Sequence, residues 1–205
     1  MIFSDKERQA PLALKDTEPS HLARYLFASS FLTKNDSVLD APCGSGYGSK
    51  QLASKAGKVR GVDIFQGAIN HAKEFFSDPK ISFIVGDVEK LNEIVEAKSL
   101  DVVVSFEGIE HLHDQVKFLS AVKESLKTNG IFIVSTPRKP HGSPYHTVEF
   151  SQQEFIDILS KKFVIEKMFG QIFTDIFDMN ERKEDPHSHK RFNFIAICRP
   201  KEEGK

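Results

Sequence analysis

Hydrophobic and polar positions along this chain fall into blocks whose period alternates between two kinds. Val38–Ala41, Val59–Asp63, Ile81–Val85, Asp101–Ser105 and Ile131–Ser135 are short β-branched runs, as expected of strands buried on both faces. Between them lie stretches with helical spacing. Tyr47–Ala56 is closed by Gly57, and Gln66–Phe76 gathers Ala68, Ile69, Ala72, Phe75 and Phe76 on one side. A short helix is predicted near Asn92–Ala97, and a longer one over Asp114–Leu126 with Gly130 beyond its end. Pro19–Leu32 reads as a leading helix with proline in its first turn. Gln152–Leu159 reads as a trailing helix opened by the capping box of Ser151 and Glu154. Phe163–Met168 and Phe192–Cys198 are the last two strands predicted.

Strands alternating with helices predict an α/β fold, a doubly wound and mostly parallel sheet of seven strands. Only loop separates the last two strands, so they are expected to pair as a C-terminal antiparallel hairpin. One domain is expected, with a helical lead over about 1–34 and a core over about 35–200. The charged stretch Asn180–Arg191, with His187 and His189, reads as a solvated loop.

Charge adds little, since 28 Lys and Arg balance 29 Asp and Glu for a net of −1. That gives no electrostatic case for a nucleic-acid partner. No apolar run approaches the roughly 20 residues of a membrane helix, and the polar start Met1–Arg8 is not a secretory leader. Cys43 and Cys198 have no zinc-ligand spacing and suggest no disulfide framework, which makes a reducing cytoplasm the expected location.

The chemistry concentrates in Val38–Gly48, a strand ending in Asp40 followed by a turn with Gly44, Gly46 and Gly48. A glycine turn at the carboxyl end of a first parallel strand is where open α/β sheets receive nucleotides. A dinucleotide fingerprint has a third glycine three residues after the second, but Ser49 stands there. Asp40 would also repel a pyrophosphate. Asp63, Asp87 and Glu107 end neighbouring strands along the same rim. Such a rim suits a ligand with amines, hydroxyls and positive charge, and disfavours NAD and ATP.

With these residues in view, the chain resembles class I S-adenosylmethionine (SAM)-dependent methyltransferases over nearly its whole length. The resemblance rests on VLDAPCGSGYG from Val38, GVDI from Gly61, GDVE from Gly86, VVVSFEGIEHL from Val102 and LKTNGIFIVSTP from Leu126, in that order. It implies the Rossmann-like methyltransferase fold and roles for particular residues. Asp40 would face the methionine ammonium, while Gly44 and Gly46 let the methionine part approach the backbone. Asp63 would accept from both ribose hydroxyls, and Asp87 from the adenine amine with Ile64 and Val88 flanking the ring. Glu107 would join the cofactor site, and Arg24 is a candidate partner for the methionine carboxylate.

Two segments on the rim offer groups for the acceptor: Glu107-Gly108-Ile109-Glu110-His111, and the loop 136–150 with Arg138, His141, Tyr145, His146 and Glu149. The Glu-x-x-Glu-His pattern resembles ubiquinone-pathway O-methyltransferases, and also metal-dependent enzymes that 2′-O-methylate RNA 3′ ends. His111, Glu107 and His146 are therefore the catalytic candidates. Glu107, Glu110, His111 and His146 together are a candidate site for Mg²⁺, Mn²⁺ or Zn²⁺. A softer resemblance of Ser143–Phe155 and Phe169–Gln171 to glycan methyltransferases favours a small-molecule or sugar hydroxyl as acceptor. The alternatives are an RNA end and a SAM-binding protein without catalysis.

Overall fold

The computed structural model describes residues 8–182 and 192–202. Five strands, β1 (Ser37–Asp40), β2 (Lys58–Asp63), β3 (Ile81–Val85), β4 (Leu100–Phe106) and β5 (Leu126–Pro137), run parallel in the order β3-β2-β1-β4-β5. Helices α1 (Pro19–Ser29), α2 (Tyr47–Ala53), α3 (Gln66–Phe75), α4 (Gln115–Ser125) and α5 (Gln152–Ser160) accompany them. The sheet continues through β8 (Phe192–Pro200), β6 (Phe163–Ile172) and β7 (Asp175–Asp178) in that order. β8 lies antiparallel to both β5 and β6.

The expected period-two alternation sorts side chains onto two faces. Val103, Phe132, Val134, Phe194 and Ala196 join Phe118, Phe155 and Phe163 beneath α4 and α5. Val102, Val104, Ile133, Ile195 and Ile197 meet Tyr25, Leu52 and Ala53 of α1 and α2 on the other face. The capping box of α5 forms as expected: Ser151 Oγ accepts from Glu154 N at 3.3 Å, and Glu154 Oε2 accepts from Ser151 N at 2.7 Å.

Three expectations are corrected. The described sheet has eight strands, because Asp175–Asp178 forms an edge strand on β6. Four residues with aspartate at both ends carry too little apolar pattern to announce a strand. The short helix expected near Asn92–Ala97 is instead a 3₁₀ turn over Val88–Glu93. Asp87 starts it early by accepting from Glu89 N at 2.9 Å. The leading helix stops at Ser29, not Leu32. Of the supposed loop at 180–191, only residues 180–182 are described, and His187 and His189 lie outside the described residues.

Gly48 shows how closely α1 and α2 approach. A Cβ on it would sit 2.0–2.5 Å from three ring atoms of the buried Tyr25. Gly48→Ala is therefore expected to lower stability by about 1–3 kcal/mol through overpacking. Chemical denaturation measures it, and an unchanged midpoint would contradict this packing.

Candidate functional site

The parallel strands end along one rim, and that rim borders a cavity of about 620 Å³. At its floor Cys43 N donates to Val62 O at 2.8 Å, tying the glycine turn to β2. Gly44 has φ +54°, and a Cβ there would meet no atom within 4 Å, so this glycine faces open cavity. Gly46 serves packing instead. Its φ is +90° at the start of α2, and a Cβ would come within 2.5 Å of Ala72 Cβ and 2.9 Å of the Phe83 ring.

Asp40 also departs from expectation. It is fully buried beneath the cavity rather than lining it. Ser49 Oγ donates to its Oδ2 at 2.7 Å and Tyr25 Oη to its Oδ1 at 3.1 Å. Burial pushes its carboxyl up to about 7, against the two hydroxyl bonds that favour the charged form, with Asp63 adding repulsion. The charge expected at the turn therefore falls to Asp63, whose side chain reaches the cavity. Asp63 Oδ2 accepts from Gly44 N at 3.0 Å and Oδ1 from Phe65 N at 2.9 Å. Ile64 projects from the same edge, 65% exposed. Asp87 and Val88 line the cavity nearby, with one Asp87 oxygen already capping the 3₁₀ turn.

The opposite end begins at Glu107, which takes φ +49° just past β4, a strained conformation for a residue with a Cβ. Its Oε1 accepts from Ser135 Oγ at 3.1 Å, and its Oε2 lies 4.0 Å from Arg24 Nη2. Arg24 lines the cavity yet is only 1% exposed. Its Nη1 donates to Gln171 Oε1 at 2.7 Å, and to Asn193 Oδ1 at 2.6 Å with that amide turned to satisfy both ends. Its Nε and Nη2 have no hydrogen-bond partner among the described residues. Beside it, burial and the Arg24 charge push His21 down to about 4, so the ring is neutral as it meets Tyr47 Oη at 3.2 Å.

Glu110, His111 and His146 come together, with one ligand-type atom of each within 4.8 Å of the others. The His111 and His146 rings meet edge to face with centroids 4.9 Å apart, and the His146 side chain is 5% exposed. His111 Nδ1 lies 3.2 Å from the Tyr145 carbonyl, which can only accept. That tautomer keeps the proton on Nδ1 and the lone pair on Nε2. Glu110 Oε2 accepts from Thr136 Oγ1 at 3.1 Å, whereas its buried Oε1 has no hydrogen-bond partner among the described residues. Burial and then the Glu107 charge raise the Glu110 carboxyl well above the usual range. Glu107 is not in this group and faces Arg24 and Ser135 instead. Glu149 pins the loop that carries His146, accepting from His141 N and Gly142 N at 3.0 and 2.6 Å. Arg138 stacks over Phe192 and does not line the cavity.

Sequence reasoning missed Tyr25, Ser49, Gln171 and Asn193, the residues that hold Asp40 and Arg24. No local pattern marks them, because the Arg24–Gln171 contact spans 147 positions.

An acidic, glycine-lined cavity at the carboxyl rim of this sheet order defines a Rossmann-like α/β domain of the methyltransferase kind. The chain belongs to the family described as "Methyltransferase domain", whose profile matches residues 32–192. It is 34% identical over 142 residues to a probable S-adenosylmethionine-dependent methyltransferase of Mycolicibacterium smegmatis, covering 65% of this chain and 54% of that protein. It is 32% identical over 101 residues to the ubiquinone biosynthesis O-methyltransferase of Rickettsia canadensis, covering 48% of this chain and 42% of that protein. The chain thus spans about half the length of the curated relatives it matches. Among solved structures, the N-methyltransferase NodS of Bradyrhizobium japonicum bound to S-adenosylhomocysteine shares the fold at TM-score 0.68 and 17% identity, covering 91% of this chain and 90% of that one. A chain from the complex of the Haloferax volcanii Trm112 methyltransferase activator with a methyltransferase reaches TM-score 0.74 at 18% identity, covering 91% and 92%.

The Asp40 network yields a pH-dependent outcome. Its carboxyl is raised in the folded state from 3.8 to about 7, so the folded protein binds the extra proton between those values. Stability from this group is present below pH 4 and is lost as pH rises to about 7. Asp40→Asn removes that loss and is expected to gain stability relative to wild type across the window. Urea unfolding of both proteins at pH 5 and pH 8 checks it, and an equal difference at both values refutes the shift.

Proposed function

We propose that this chain binds S-adenosylmethionine and transfers its methyl group to a hydroxyl of a small molecule or sugar. The observation that carries the reading is Arg24, a fully buried guanidinium at the cavity wall with two nitrogens that make no hydrogen bond among the described residues. Such donors suit a carboxylate arriving with a ligand. The methionine carboxylate would meet Arg24, and its ammonium the acids at the turn, with Asp40 acting from below through Tyr25 and the floor. Asp63 would take the ribose diol, and Ile64, Asp87 and Val88 the adenine. The names of the Mycolicibacterium and Rickettsia relatives support this cofactor and, for the latter, an oxygen acceptor.

The sulfonium is already a good leaving group. The protein's work is then to align the acceptor with the methyl and to exclude water. The acceptor oxygen forms its bond to the methyl carbon as the carbon–sulfur bond breaks, leaving S-adenosylhomocysteine as a thioether. The acceptor's proton passes to His111 Nε2, the ring nitrogen left with a lone pair by the Tyr145 contact. The acids Asp63, Asp87 and Glu107 along the cavity make it unfavourable for an RNA backbone.

A second reading adds a divalent cation. The partnerless Glu110 Oε1 beside two imidazoles is the observation that favours it. Glu110, His111 and His146 would hold the ion, and it would supply a lowered pKa to an acceptor hydroxyl. The donor set fits such an ion without Glu107.

Asp63→Ala is expected to weaken S-adenosylhomocysteine binding by about 2–3 kcal/mol through two lost charge-assisted bonds. Arg24→Met weakens it by a similar amount and also lowers the stability of the unliganded protein, since Gln171, Asn193 and Glu107 lose their buried partner. Calorimetry with S-adenosylhomocysteine and NAD, alongside thermal melts, tests both; tighter binding of NAD would defeat the reading. For the chemistry, His111→Ala is expected to cost about 10²-fold or more in kcat with S-adenosylhomocysteine affinity kept. If activity survives chelation, His111 acts as an unassisted base; loss that Mn²⁺ restores selects the second reading.

A further inference from the structure

Ahead of α1, the described residues from Arg8 to Thr17 form a strap across α3 toward the adenosine end of the cavity. Its middle is anchored. His71, 5% exposed, places Nε2 2.8 Å from the Pro11 carbonyl, and Leu14 packs on the Ile69, Ala72, Phe76 and Phe83 cluster. Gln9 Oε1 accepts from Glu18 N at 2.8 Å, holding the strap against the start of α1. Its leading residue is placed differently. The Arg8 side chain is 34% exposed, lies over the Phe65 ring at 5.5 Å, and brings Nη2 to 3.5 Å from Asp63 Oδ1.

We infer that Arg8 is an autoinhibitory latch on Asp63, which cofactor must displace. This rests on the methyltransferase reading, because it needs Asp63 to be the acceptor of a ribose diol. The Asp63 side chain is 2% exposed in this structure. Gly44 N and Phe65 N already donate to its two oxygens, and Arg8, which lines the same cavity, stands beside Oδ1. A diol donating to both oxygens needs the face that Arg8 occupies. Arg8 and the diol therefore compete for one carboxylate, and the strap behind Arg8 keeps its effective concentration high after release. The anchors at Pro11 and Leu14 confine the motion to the leading turn of the strap.

Competition of this kind lowers apparent affinity by the fraction of time the latch is open. A latch closed about nine times in ten raises the dissociation constant about tenfold. Titration of S-adenosylhomocysteine into wild type, Arg8→Ala and Arg8→Lys by calorimetry reads this directly. Arg8→Ala is expected to bind about three- to tenfold more tightly, and Arg8→Lys to return most of the way to wild type. Arg8 reaches solvent although Asp63 does not, so raising salt to about 0.5 M screens the pair in part, and wild-type affinity rises part of the way toward that of Arg8→Ala, which itself changes little. The side chain touches solvent, so the variants fold, and a thermal melt confirms it. Weaker or unchanged binding by Arg8→Ala overturns the latch and makes Arg8 a fixed wall of the site. If wild type and variants all fail to bind S-adenosylhomocysteine, the methyltransferase reading falls and the latch with it; equal binding removes the latch alone.

Discussion

Arg24 sets the geometry on which the cavity depends. Burying a guanidinium costs several kcal/mol unless its nitrogens are matched, and among the described residues only Nη1 is matched within hydrogen-bond distance. The two acceptors that match it come from β6 and β8, so α1 is held across the sheet by residues from the far end of the chain. Tyr25 follows Arg24 on the helix, and its position is fixed with it. That ring rests on Gly48, and its hydroxyl reaches Asp40 beneath the glycine turn. One buried cation thus aligns the first helix with the first strand, the turn and the antiparallel end of the sheet together.

The acids of the site are not equivalent, and their differences follow from depth. Asp40 and Glu110 are enclosed, and desolvation raises both. Asp63 keeps two backbone N–H donors and Glu107 a hydroxyl, with a cation near each. Desolvation thus weighs on the two enclosed carboxyls, while Asp63 and Glu107 at the cavity wall each have a hydrogen-bond donor and a cation nearby.

Much of the fold was legible because period-two strands and 3.6-period helices are local signals. Ile81–Val85 was placed to the residue, and the Ser151–Glu154 box appears as read. The edge strand Asp175–Asp178 was not legible, since its half-buried residues gain their order from β6 rather than from their own pattern. In the site, Asp63, Gly44 and the His111–His146 pair follow from strand-end position. The depth of Asp40, the packing role of Gly46 and the separation of Glu107 from the histidines do not. Each of those is decided by a distant partner: Tyr25 for Asp40, Phe83 and Ala72 for Gly46, Arg24 for Glu107.

The reversed direction of β8 explains why the antiparallel end takes part in the site at all. In a parallel sheet the loops that enter each strand lie at the edge away from the ligand. β8 runs the other way, so its first residues stand level with the carboxyl ends of its neighbours, Asn193 opposite Pro137 on β5 and opposite Gln171 on β6. Asn193 and Gln171 are thereby brought side by side at the height of the cavity, where both reach Arg24. A parallel strand in the same place would bring its last residues to the rim and put Asn193 at the far edge of the sheet. The strand that breaks the parallel order thus supplies one of the buried cation's two partners, Asn193, beside Gln171 from β6, and through Arg24 it shapes the wall opposite the glycine turn.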